Sequence, residues 1–566
     1  MNCEKALPEM TINIIGAGLA GLSAARDLAG QGIRVRLISL QASERAQSNL
    51  AEGGINAALD VMGEDDTVQE HAADTERGGC YLADPVMVRD LTAAAPDIVR
   101  SLAALGVPFH HENGHMVQRN FGGQKKKRTA YAYSSTGKAL TCAMIDAVRR
   151  YEVSGLVTRL CRHRFLELIL KEEGNGPAGR RVCTGVKVLD TFTGRMLSLD
   201  GPVIMACGGF NGMFEGATTG TTANTGTAAA MLLWQGVKFA NLEFMQYHPT
   251  TTGIAGKRLL ISEAARGEGG RLFTYSNDAD QEADKNRCYF MEEAYGERGN
   301  LMPRDVISRE MAKLGRQVWL DLTGLPENVW KDRLADLRAE IIHYLGIDPR
   351  KIPVPVSPGI HFFMGGIAVD RSHRTDIAGL YAAGECACAY HGANRLGGNS
   401  LLGALYGGRT AAEAAAEDVR EGRTRKRQEA ASEDGAGQTV LTAAELSPWE
   451  QKADRQMQQA LLSGMRILRT RSCLQEALDK IRTIREELQG QPSRELEARF
   501  LFAEAVLQSA LARRESRGAH TRLDAPETLD EYHKTTIACR DGDGIRIFFQ
   551  DIPDSAETAG GKGGEA

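Results

Sequence analysis

The chain has 566 residues, enough for roughly three to four domains, and its 42% hydrophobic and 25% charged content is ordinary for a soluble globular protein. Its formal net charge of −5 argues against nucleic acid as a partner, and no run reaches the ~18 apolar residues that a membrane span requires. Eleven cysteines without a CxxC pair, and an N-terminus without the apolar stretch of a signal peptide, predict buried free thiols in a cytoplasmic protein that holds no metal.

The first predicted unit is a strand, a glycine-rich turn and a helix near the N-terminus. The β-rich run Thr11–Ile15 is followed at once by Gly16-Ala-Gly-Leu-Ala-Gly21, and a helical pattern then continues to Gly30. A second strand, Ile33–Ile38, completes a βαβ unit whose glycines allow a tight turn, close approach of a pyrophosphate and helix–strand packing. This context predicts dinucleotide binding. Since Ser39 stands where an acid usually grips a ribose, the pattern weakens the NAD interpretation and leaves FAD open.

Three later segments carry features suited to the same cofactor. A polar loop ends on Gly53 and Gly54, where the backbone can approach a ring system closely. The strand Pro202–Ala206 leads into another glycine pair, and a third strand ends at Glu385, which is placed to accept ribose hydroxyls. Because these segments lie far apart in the chain, we expect one nucleotide-binding domain that is interrupted by an insert.

The stretch His391–Gly408 begins beyond the apolar run Gly379–Glu385 and leads into an Ala-rich helical pattern. A strand, a loop dense in Gly and Asn and a helix N-terminus form an anion and ring-edge binding site, because unpaired N–H groups point outward there. Arg395 in that loop presents a planar fork of donors suited to a carboxylate. We predict that Ser400 and Leu401 face a flavin while Arg395 reaches toward a substrate beside it.

The predicted insert contains polar residues that each have an ordinary structural interpretation. His248 precedes Pro249, which keeps it in an extended segment, and taken alone it fits a structural histidine with its hydrogen bonds satisfied. Glu263 and Arg266 are one helical turn apart, a spacing typical of a weak surface ion pair. Arg304 equally fits a surface ion pair. The residues alone leave these interpretations and a catalytic role open.

Eight motifs identify the family that the chain resembles. They are AEGG at 51–54, QRNFGG at 118–123, QYHPTT at 246–251, SEAARGEGG at 262–270, PRD at 303–305, HFFMGG at 361–366, GANRLGGNSL at 392–401 and ESRGAH at 515–520. The chain resembles the flavoprotein subunit of fumarate reductase and succinate dehydrogenase, a superfamily shared with L-aspartate oxidase. The resemblance implies an α/β fold with a bipartite Rossmann-like FAD-binding domain, an inserted α+β capping domain and a C-terminal helical domain.

The implied domains are an FAD-binding domain at 1–240 plus 355–420, a capping domain at 241–354, a linker and helical domain at 421–530, and a C-terminal segment at 531–566 with a disordered tail. Three amphipathic patterns in the third region favour a small packed bundle over a surface that docks a partner. By resemblance this region helps to hold an iron–sulfur subunit as electron donor. Through that subunit, and a membrane anchor bound to it, we expect the protein at the inner face of the cell membrane.

The resemblance also assigns residues to roles. Catalysis is assigned to Arg304, Glu263, Arg266 and His248. Binding of a C4-dicarboxylate is assigned to His248, Ser262, His361, Arg395 and Phe121. Binding of FAD is assigned to Gly16, Ala17, Gly18, Ala20, Gly21, Ser39, Ser48, Ala51, Glu52, Gly53, Gly54, Ala206, Gly208, Thr227, Glu385, Arg395, Ser400 and Leu401.

These roles are chemically consistent. A dianion needs donors at both ends, with His248 and Ser262 on one carboxylate and His361 and Arg395 on the other. Polarising one carboxylate prepares the adjacent carbon for hydride attack from flavin N5, and a proton must then reach the opposite face. Arginine is a poor acid, with a pKa above ~12, so Arg304 can give that proton only if a neighbouring Glu–Arg chain restores it.

Three positions depart from the pattern or add to it. Gln47 stands where many membrane-bound members attach FAD through a histidine, so we expect non-covalent FAD and a weaker oxidant, which favours fumarate reduction. Thr227 stands where many relatives have an aspartate, although its hydroxyl can still meet a ribityl oxygen. The basic run Lys125–Arg128 is predicted to be solvated, with electrostatic steering of dianions as the alternative.

We therefore predict an FAD-dependent fumarate reductase or succinate dehydrogenase flavoprotein of electron transport and anaerobic respiration. The nearest rival is L-aspartate oxidase, whose substrate amine needs an acid near the substrate loop, and QRNFGGQKKKR contains none. Another unsaturated acid as substrate is a further alternative. A subunit that binds flavin without turnover is the third, but it would not need the dicarboxylate clamp.

Overall fold

A computed structural model describes residues 10–133, 135–173, 180–276, 286–424, 446–488 and 492–553. Residues 425–445, which include most of the linker predicted at the start of the 421–530 region, lie outside the described residues, and so do residues 554–566, where the disordered tail was predicted. Within these ranges no helix is both long and apolar enough to cross a lipid bilayer.

The helices begin in two ways. Three C-terminal helices are capped by Ser447, Thr470 and Ser493, each of which accepts a hydrogen bond from the backbone N–H three residues on. Two others start after Gly18 and Gly398, which supply no side-chain cap, so N–H groups remain for other partners. The helices are α1 (Leu19–Gly30), α2 (Val68–Gly78), α3 (Pro85–Ala104), α4 (Thr136–Val153), α5 (Thr227–Trp234), α6 (Ala264–Gly267), α7 (Phe290–Tyr295), α8 (Arg304–Leu314), α9 (Ala335–Leu345), α10 (Asn399–Arg420), α11 (Pro448–Gly464), α12 (Arg471–Glu486) and α13 (Arg494–Ala512).

The strands are mostly short, and the longer ones belong to the antiparallel sheets. They are β1 (Thr11–Ile15), β2 (Arg34–Ser39), β3 (Ile55–Asn56), β4 (His111–Glu112), β5 (His115–Met116), β6 (Gln118–Arg119), β7 (Thr129–Ala130), β8 (Val157–Cys161), β9 (His163–Glu173), β10 (Arg180–Asp190), β11 (Met196–Asp200), β12 (Val203–Met205), β13 (Phe239–Ala240), β14 (Met245–Ile254), β15 (Lys257–Leu260), β16 (Arg271–Tyr275), β17 (Arg287–Cys288), β18 (Val318–Asp321), β19 (Val354–Phe363), β20 (Gly366–Ala368), β21 (Leu380–Ala382), β22 (Ala387–Cys388), β23 (Leu468–Arg469), β24 (Thr521–Arg522), β25 (Lys534–Asp541) and β26 (Gly544–Asp551).

The nucleotide-binding sheet is assembled from two distant parts of the chain. Its order is β21-β12-β1-β2-β8, and every neighbouring pair is parallel. The predicted strand Thr11–Ile15 is confirmed as β1, and α10 packs along α1 over one apolar core. The predicted α/β fold class is therefore confirmed. The carboxyl ends of β1, β12 and β21 meet at one edge, which is where parallel sheets bind ligands.

The insert forms a separate antiparallel layer with its own apolar core. Its strand order is β15-β14-β19-β18-β16-β17. His248 lies on β14 opposite Gly359 of β19, and His361 lies two residues further along β19. Because β19 runs to Phe363, the sheet of the insert continues past the boundary predicted at 354.

The C-terminal region adds helices and then returns to the first part of the chain. The three helical patterns are confirmed as α11, α12 and α13, and their apolar side chains share a core with Phe239 and Phe363. β25 pairs with β13 and with β26, so residues 534–551 form a hairpin on a sheet that begins near Phe239. This hairpin was not predicted from the sequence.

Two predictions about exposure are wrong in part, although Lys125 and Lys127 of the basic run are exposed as predicted. Arg128 of the basic run is fully buried and bridges Asp66 (2.8 Å) and Asp74 (3.0 Å), because this ion pairing compensates for its loss of water. The ten cysteines of the described residues are free thiols, but Cys142 and Cys161 are exposed, and only two of the ten are buried. Solvation of the basic run and burial of the cysteines were both predicted from local composition, whereas burial depends on contacts with residues that are distant in the chain.

Candidate functional site

One deep cavity lies between the carboxyl edge of the parallel sheet and the insert. All but two of the residues predicted to bind cofactor or substrate, or to act in catalysis, line it. Those lining it are Gly16, Ala17, Gly18, Ala20, Ser39, Ser48, Ala51, Glu52, Gly53, Gly54, Phe121, Ala206, Gly208, Thr227, His248, Ser262, Glu263, Arg304, His361, Glu385, Arg395, Ser400 and Leu401. The two that do not are Gly21 and Arg266.

The glycine turn after β1 brings backbone segments unusually close together. Gly16 has a φ of +118°, and a Cβ there would lie 2.0 Å from the carbonyl oxygen of Ala206. A Cβ at Gly21 would lie 1.9 Å from the carbonyl oxygen of Gly16, so Gly21 allows α1 to pack closely on the turn. Gly21 was predicted to bind FAD, but it does not line the cavity. The turn thus leads into the N-terminus of α1, a geometry that suits a pyrophosphate.

A second narrow wall of the cavity is formed by two further glycines. Gly398 has a φ of +84°, and a Cβ there would lie 2.1 Å from Oδ1 of Asn56. A Cβ at Gly53 would lie 2.8 Å from the ring of Phe121. Ser400 lies next to this wall in the first turn of α10, where N–H groups lack helical partners. Backbone approach on both sides and these open donors fit the edge of a flavin ring.

Two polar side chains extend the fit to FAD. The Gln47 side chain accepts a hydrogen bond from the backbone N–H of Thr221 (2.6 Å) and so is held against the cavity wall. Glu385, just after β21, accepts one from the N–H of Phe363 (3.1 Å). Burial raises the pKa of the Glu385 carboxyl to about 7, and a hydroxyl of the cofactor would offset part of that cost.

A buried group of opposite charges lies where the insert meets the cavity. Glu263 receives two hydrogen bonds from Arg304, at 2.8 Å and 2.5 Å, and one from the backbone N–H of Gly122 at 2.9 Å. Arg266 lies behind it, 3.6 Å away. Burial raises the pKa of Glu263, but the guanidinium groups of Arg304 and Arg266 outweigh burial and hold this pKa below its usual value. The surface ion-pair interpretations of both arginines are therefore wrong.

Two histidines face each other across the same space. The ring centroids of His248 and His361 are 5.1 Å apart. Nδ1 of His361 bonds the Thr219 hydroxyl (2.8 Å), and Nδ1 of His248 lies 3.3 Å from the carbonyl oxygen of Thr250. Burial, followed by the positive charge of Arg304, lowers the pKa of both rings well below the usual value, so both are neutral. Nε2 of each ring takes no hydrogen bond within the described part of the chain.

Arg395 also has few partners within the described part of the protein. It is buried, its Nη2 donates to Gln246 (3.1 Å), and its guanidinium carbon lies 4.5 Å from the ring centroid of Phe362. Its Nε finds no partner among the described residues. Burial and the charge of Arg304 lower the pKa of Arg395. Buried donors of this kind are normally paired, so an anionic ligand is the natural partner.

Gln246 was missed in the sequence, although it opens the QYHPTT motif. Its side-chain oxygen accepts from Arg304 (3.2 Å) and from Arg395 (3.1 Å), while its amide nitrogen donates to Asn394 and to the backbone carbonyl of Arg395, both at 2.7 Å. Asn394 in turn donates to Asp305 (2.8 Å). Since both arginines donate to one oxygen, they are neighbours, as the predicted clamp requires. Only a side chain with both an acceptor and two donors satisfies all four contacts.

A second buried charged region was recognised only in part. Glu52 was predicted to bind the cofactor, but the neighbouring Arg119, whose Nη2 lies 3.4 Å from the backbone carbonyl oxygen of Glu52, was not identified. Burial raises the pKa of the Glu52 carboxyl well above its usual value, and burial lowers that of Arg119 to about 10. Arg119 lies over Tyr131, 4.2 Å from the ring centroid, and its Nε and Nη1 are unpaired within the described ranges. Arg119 does not line the cavity, but its Nη2 donates to the backbone carbonyl of Gly53, which does.

Comparison with family models matches the chain in two parts. Residues 12–401 match an FAD binding domain, and residues 454–557 match the C-terminal part of the fumarate reductase flavoprotein. The first match includes the glycine turn and the whole of the charged group described above. Together the two matches span most of the chain.

Curated and solved relatives agree with these models. The chain is 36% identical to the succinate dehydrogenase flavoprotein subunit of Bacillus subtilis, over 94% of each chain. It is 34% identical to L-aspartate oxidase 1 of Ralstonia nicotianae, over 93% of this chain and 97% of that protein. A variant of the E. coli quinol fumarate reductase subunit FrdA superposes with a TM-score of 0.82 at 28% identity, over 97% of both chains.

Proposed function

The chain belongs to the family of fumarate reductase and succinate dehydrogenase flavoproteins, which are FAD-dependent oxidoreductases, and we propose that it interconverts fumarate and succinate, with fumarate reduction favoured. FAD, when bound, supplies or accepts a hydride at N5 of its ring. The observation that carries the proposal is the meeting of His248, His361, Arg304 and Arg395 in the cavity that the glycine turns shape for FAD. A small dianion is the ligand that such a group of donors suits.

The substrate carboxylates would be held at two ends. His248 and Ser262 take one carboxylate, and His361 and Arg395 take the other. Support comes from the free Nε2 of both rings and from the unpaired Nε of Arg395. Neutral His361 supplies an Nε2–H donor when its Nδ1 accepts from the Thr219 hydroxyl. Nδ1 of His248 faces the carbonyl oxygen of Thr250, so this ring donates from Nε2 only when it is protonated, a form that a bound carboxylate favours. Phe121 closes the apolar side.

Proton delivery would pass through three side chains. Arg304 gives a proton to the substrate carbon, Glu263 returns one to Arg304, and Arg266 resupplies Glu263. Two contacts from Arg304 to Glu263 and a carboxyl pKa held below its usual value support this order, because Glu263 stays ionised between donations. Closure of the insert, which we assign to residues 241–354, would exclude water and strengthen every charge contact.

We further propose that FAD is bound without a covalent link to the chain. Gln47 has no nucleophilic ring nitrogen, and its side-chain oxygen already accepts a hydrogen bond from the loop at Thr221. A flavin free of such a bond is a weaker oxidant, which supports reduction of fumarate as the favoured direction.

An anaerobic assay tests the main proposal. Purified protein with full flavin occupancy should oxidise reduced viologen when fumarate is added, with succinate formed in equal amount. The same protein should yield no hydrogen peroxide with L-aspartate in air. Absence of fumarate turnover at full flavin occupancy would refute the proposal.

L-aspartate oxidase activity is the second candidate, because one relative at 34% identity carries that name. Aspartate-dependent peroxide formation that exceeds fumarate turnover would establish it. Turnover of another unsaturated acid, with fumarate inactive, would instead keep the clamp and change its substrate.

Acid precipitation tests the cofactor linkage separately. Trichloroacetic acid should release all yellow colour into the supernatant, because unfolding removes every non-covalent contact. A pellet that keeps its flavin absorbance after washing would contradict non-covalent binding. A covalent flavoprotein treated in parallel serves as the control.

We also propose an iron–sulfur subunit as electron donor, docked on this chain and bringing it to the inner face of the cell membrane. The match of residues 454–557 to the fumarate reductase flavoprotein supports this partner. The tagged chain, purified from its native cells, should carry a second protein with the electron paramagnetic resonance signals of iron–sulfur clusters. Purification of an active flavoprotein alone, with electrons accepted directly from a soluble donor, would exclude it.

A further inference from the structure

One residue of the C-terminal helices lines the cavity shaped for FAD. Among the described residues beyond 421, only Glu495 does so, and it lies in the first turn of α13. It is far in sequence from the glycine turn and from the strands of the parallel sheet. Its side chain is a quarter exposed, so it lies at the mouth of the cavity.

Several contacts fix the Glu495 carboxylate in place. One oxygen pairs with Arg164 at 2.8 Å, and the other accepts from the Thr227 hydroxyl at 3.1 Å. Thr227 itself accepts from the hydroxyl of Thr225 at 3.1 Å, which leaves its own proton directed at Glu495. One helical turn further along α13, Arg499 donates to the carbonyl of Thr225. The start of α13 is therefore fastened to the loop that leads into α5.

The chemistry of the carboxylate limits what it can bind. An ionised carboxylate only accepts hydrogen bonds and offers roughly four lone-pair positions, of which the chain itself uses two. The charge is already paired with Arg164, so a further cation is not required. Arg164 and Thr227 line the same cavity, and a ligand that passes them must carry donors. FAD carries hydroxyls on both its ribityl chain and its ribose.

We propose that Glu495 is an FAD-binding residue, which accepts a hydrogen bond from a ribityl or ribose hydroxyl. The C-terminal helices then contribute directly to the cofactor site, and binding of FAD stabilises the docking of α13. By thermodynamic linkage, the factor by which FAD favours the docking of α13 equals the factor by which docking of α13 favours FAD binding. Loosening α13 must therefore weaken FAD binding. This inference requires only that the chain binds FAD, and it is independent of the identity of the diacid.

A matched pair of substitutions tests it. Glu495→Ala removes the carboxylate at the cavity, and Glu497→Ala removes another first-turn carboxylate of α13, which pairs with Arg485 at 2.8 Å and does not line the cavity. FAD affinity is measured on the holoenzyme by serial dilution, because released FAD is more fluorescent than bound FAD. We expect about tenfold weaker binding for Glu495→Ala, the loss of one charge-assisted hydrogen bond, and less than about twofold for Glu497→Ala.

Two further measurements complete the test. Glu495→Gln keeps the size of the side chain but turns one acceptor into a donor, so FAD should bind about threefold more weakly. ADP, which has the ribose but no ribityl chain, is then used to displace FAD. A loss of ADP affinity in Glu495→Ala assigns the ribose hydroxyl, and an unchanged ADP affinity assigns the ribityl hydroxyl.

The proposal is overturned if Glu495→Ala and Glu497→Ala retain FAD equally well. If Glu495→Ala does not fold, unchanged FAD affinity in Glu495→Gln overturns it instead. In either case Glu495 would serve only to hold Arg164 and Thr227, and the fumarate assay would be unaffected.

Discussion

Two buried arginines show how differently this protein uses the same side chain. Arg513, at the seam between the C-terminal helices and the rest of the chain, uses all five of its N–H groups. It donates to Glu243 at 2.6 Å, to Glu515 at 2.9 Å, and to two backbone carbonyls and a hydroxyl. Arg395, in the cavity, donates one side-chain hydrogen bond, to Gln246, and its Nε is unpaired within the described chain.

The number of hydrogen-bond partners that the protein supplies distinguishes a structural arginine from a functional one more clearly than burial does. Both side chains are almost inaccessible to water, and both lie near buried carboxylates. At the seam the protein itself supplies every partner, so nothing is left for a ligand. In the cavity the partners are incomplete, which costs stability in the free protein and is offset only when an anion binds. Buried charge alone would have marked both places as active sites.

The largest expected effect is at the cavity. Arg304→Ala should lower kcat for fumarate reduction by at least about 10³-fold, because the proposed proton donor and a transition-state charge are removed together. Flavin occupancy should stay at the wild-type level. The exposed Lys313→Ala on the same helix is the control and should retain full activity. A residual rate above about a tenth of wild type would exclude Arg304 as the proton donor.

Exchanging the two arginines for methionine tests the comparison directly. Arg513→Met should lower the free energy of unfolding by about 3–5 kcal/mol, because Glu243 and Glu515 lose a buried partner. Arg395→Met should leave the free energy of unfolding of the ligand-free protein unchanged or higher, and should raise KM for fumarate by about 100-fold. Urea unfolding and steady-state kinetics give both numbers. Equal destabilisation by the two substitutions would contradict the distinction.

Local signals in the sequence predicted the fold well. The strand Thr11–Ile15 follows from its β-rich composition and the three C-terminal helices from their amphipathic patterns, signals that extend over only a few positions. The hairpin of β25 and β26 was missed, although Gly542 and Asp543 between two alternating runs form a typical two-residue turn. Its pairing with β13 depends on residues nearly 300 positions away and could not be predicted locally.

The site was predicted as a set of residues but not as a network. The family resemblance, carried by the motifs, assigned His248 and Arg395 to one substrate site, and both line the cavity. Gln246 was missed because its importance lies in contacts to Arg304 and Asn394, which are distant in the chain. The burial of Arg128 has the same origin, since its acidic partners lie on the loop before α2 and on α2 itself.

Gln246 offers an intermediate case, since its side-chain oxygen accepts both from Arg304, which is paired with Glu263, and from Arg395, which has few partners. Gln246→Met should raise KM for fumarate and lower kcat, each by about tenfold, because Arg304 and Arg395 lose the oxygen that holds them in place. Gln246→Glu keeps an oxygen that accepts from the arginines, but its second oxygen faces the two acceptors to which the Gln246 amide nitrogen donates. Compared with Gln246→Met, it should therefore restore kcat more fully than it restores the free energy of unfolding. The two substitutions are compared by steady-state kinetics and urea unfolding. Loss of stability without any change in KM or kcat would make Gln246 purely structural.

The smallest expected effect concerns acid. Burial and Arg304 hold the pKa of His361 well below the unfolded value of 6.5, so below pH 6.5 the unfolded chain binds a proton that the folded chain does not. Stability from this residue is complete above that pH and falls as the pH drops. His361→Asn should therefore remove about 1 kcal/mol of the loss measured between pH 7.5 and 5.5. Saturating succinate should remove a similar amount from wild type, since a bound dianion raises the pKa of the ring. If succinate changes the pH dependence of His361→Asn as much as that of wild type, the ring does not face the ligand.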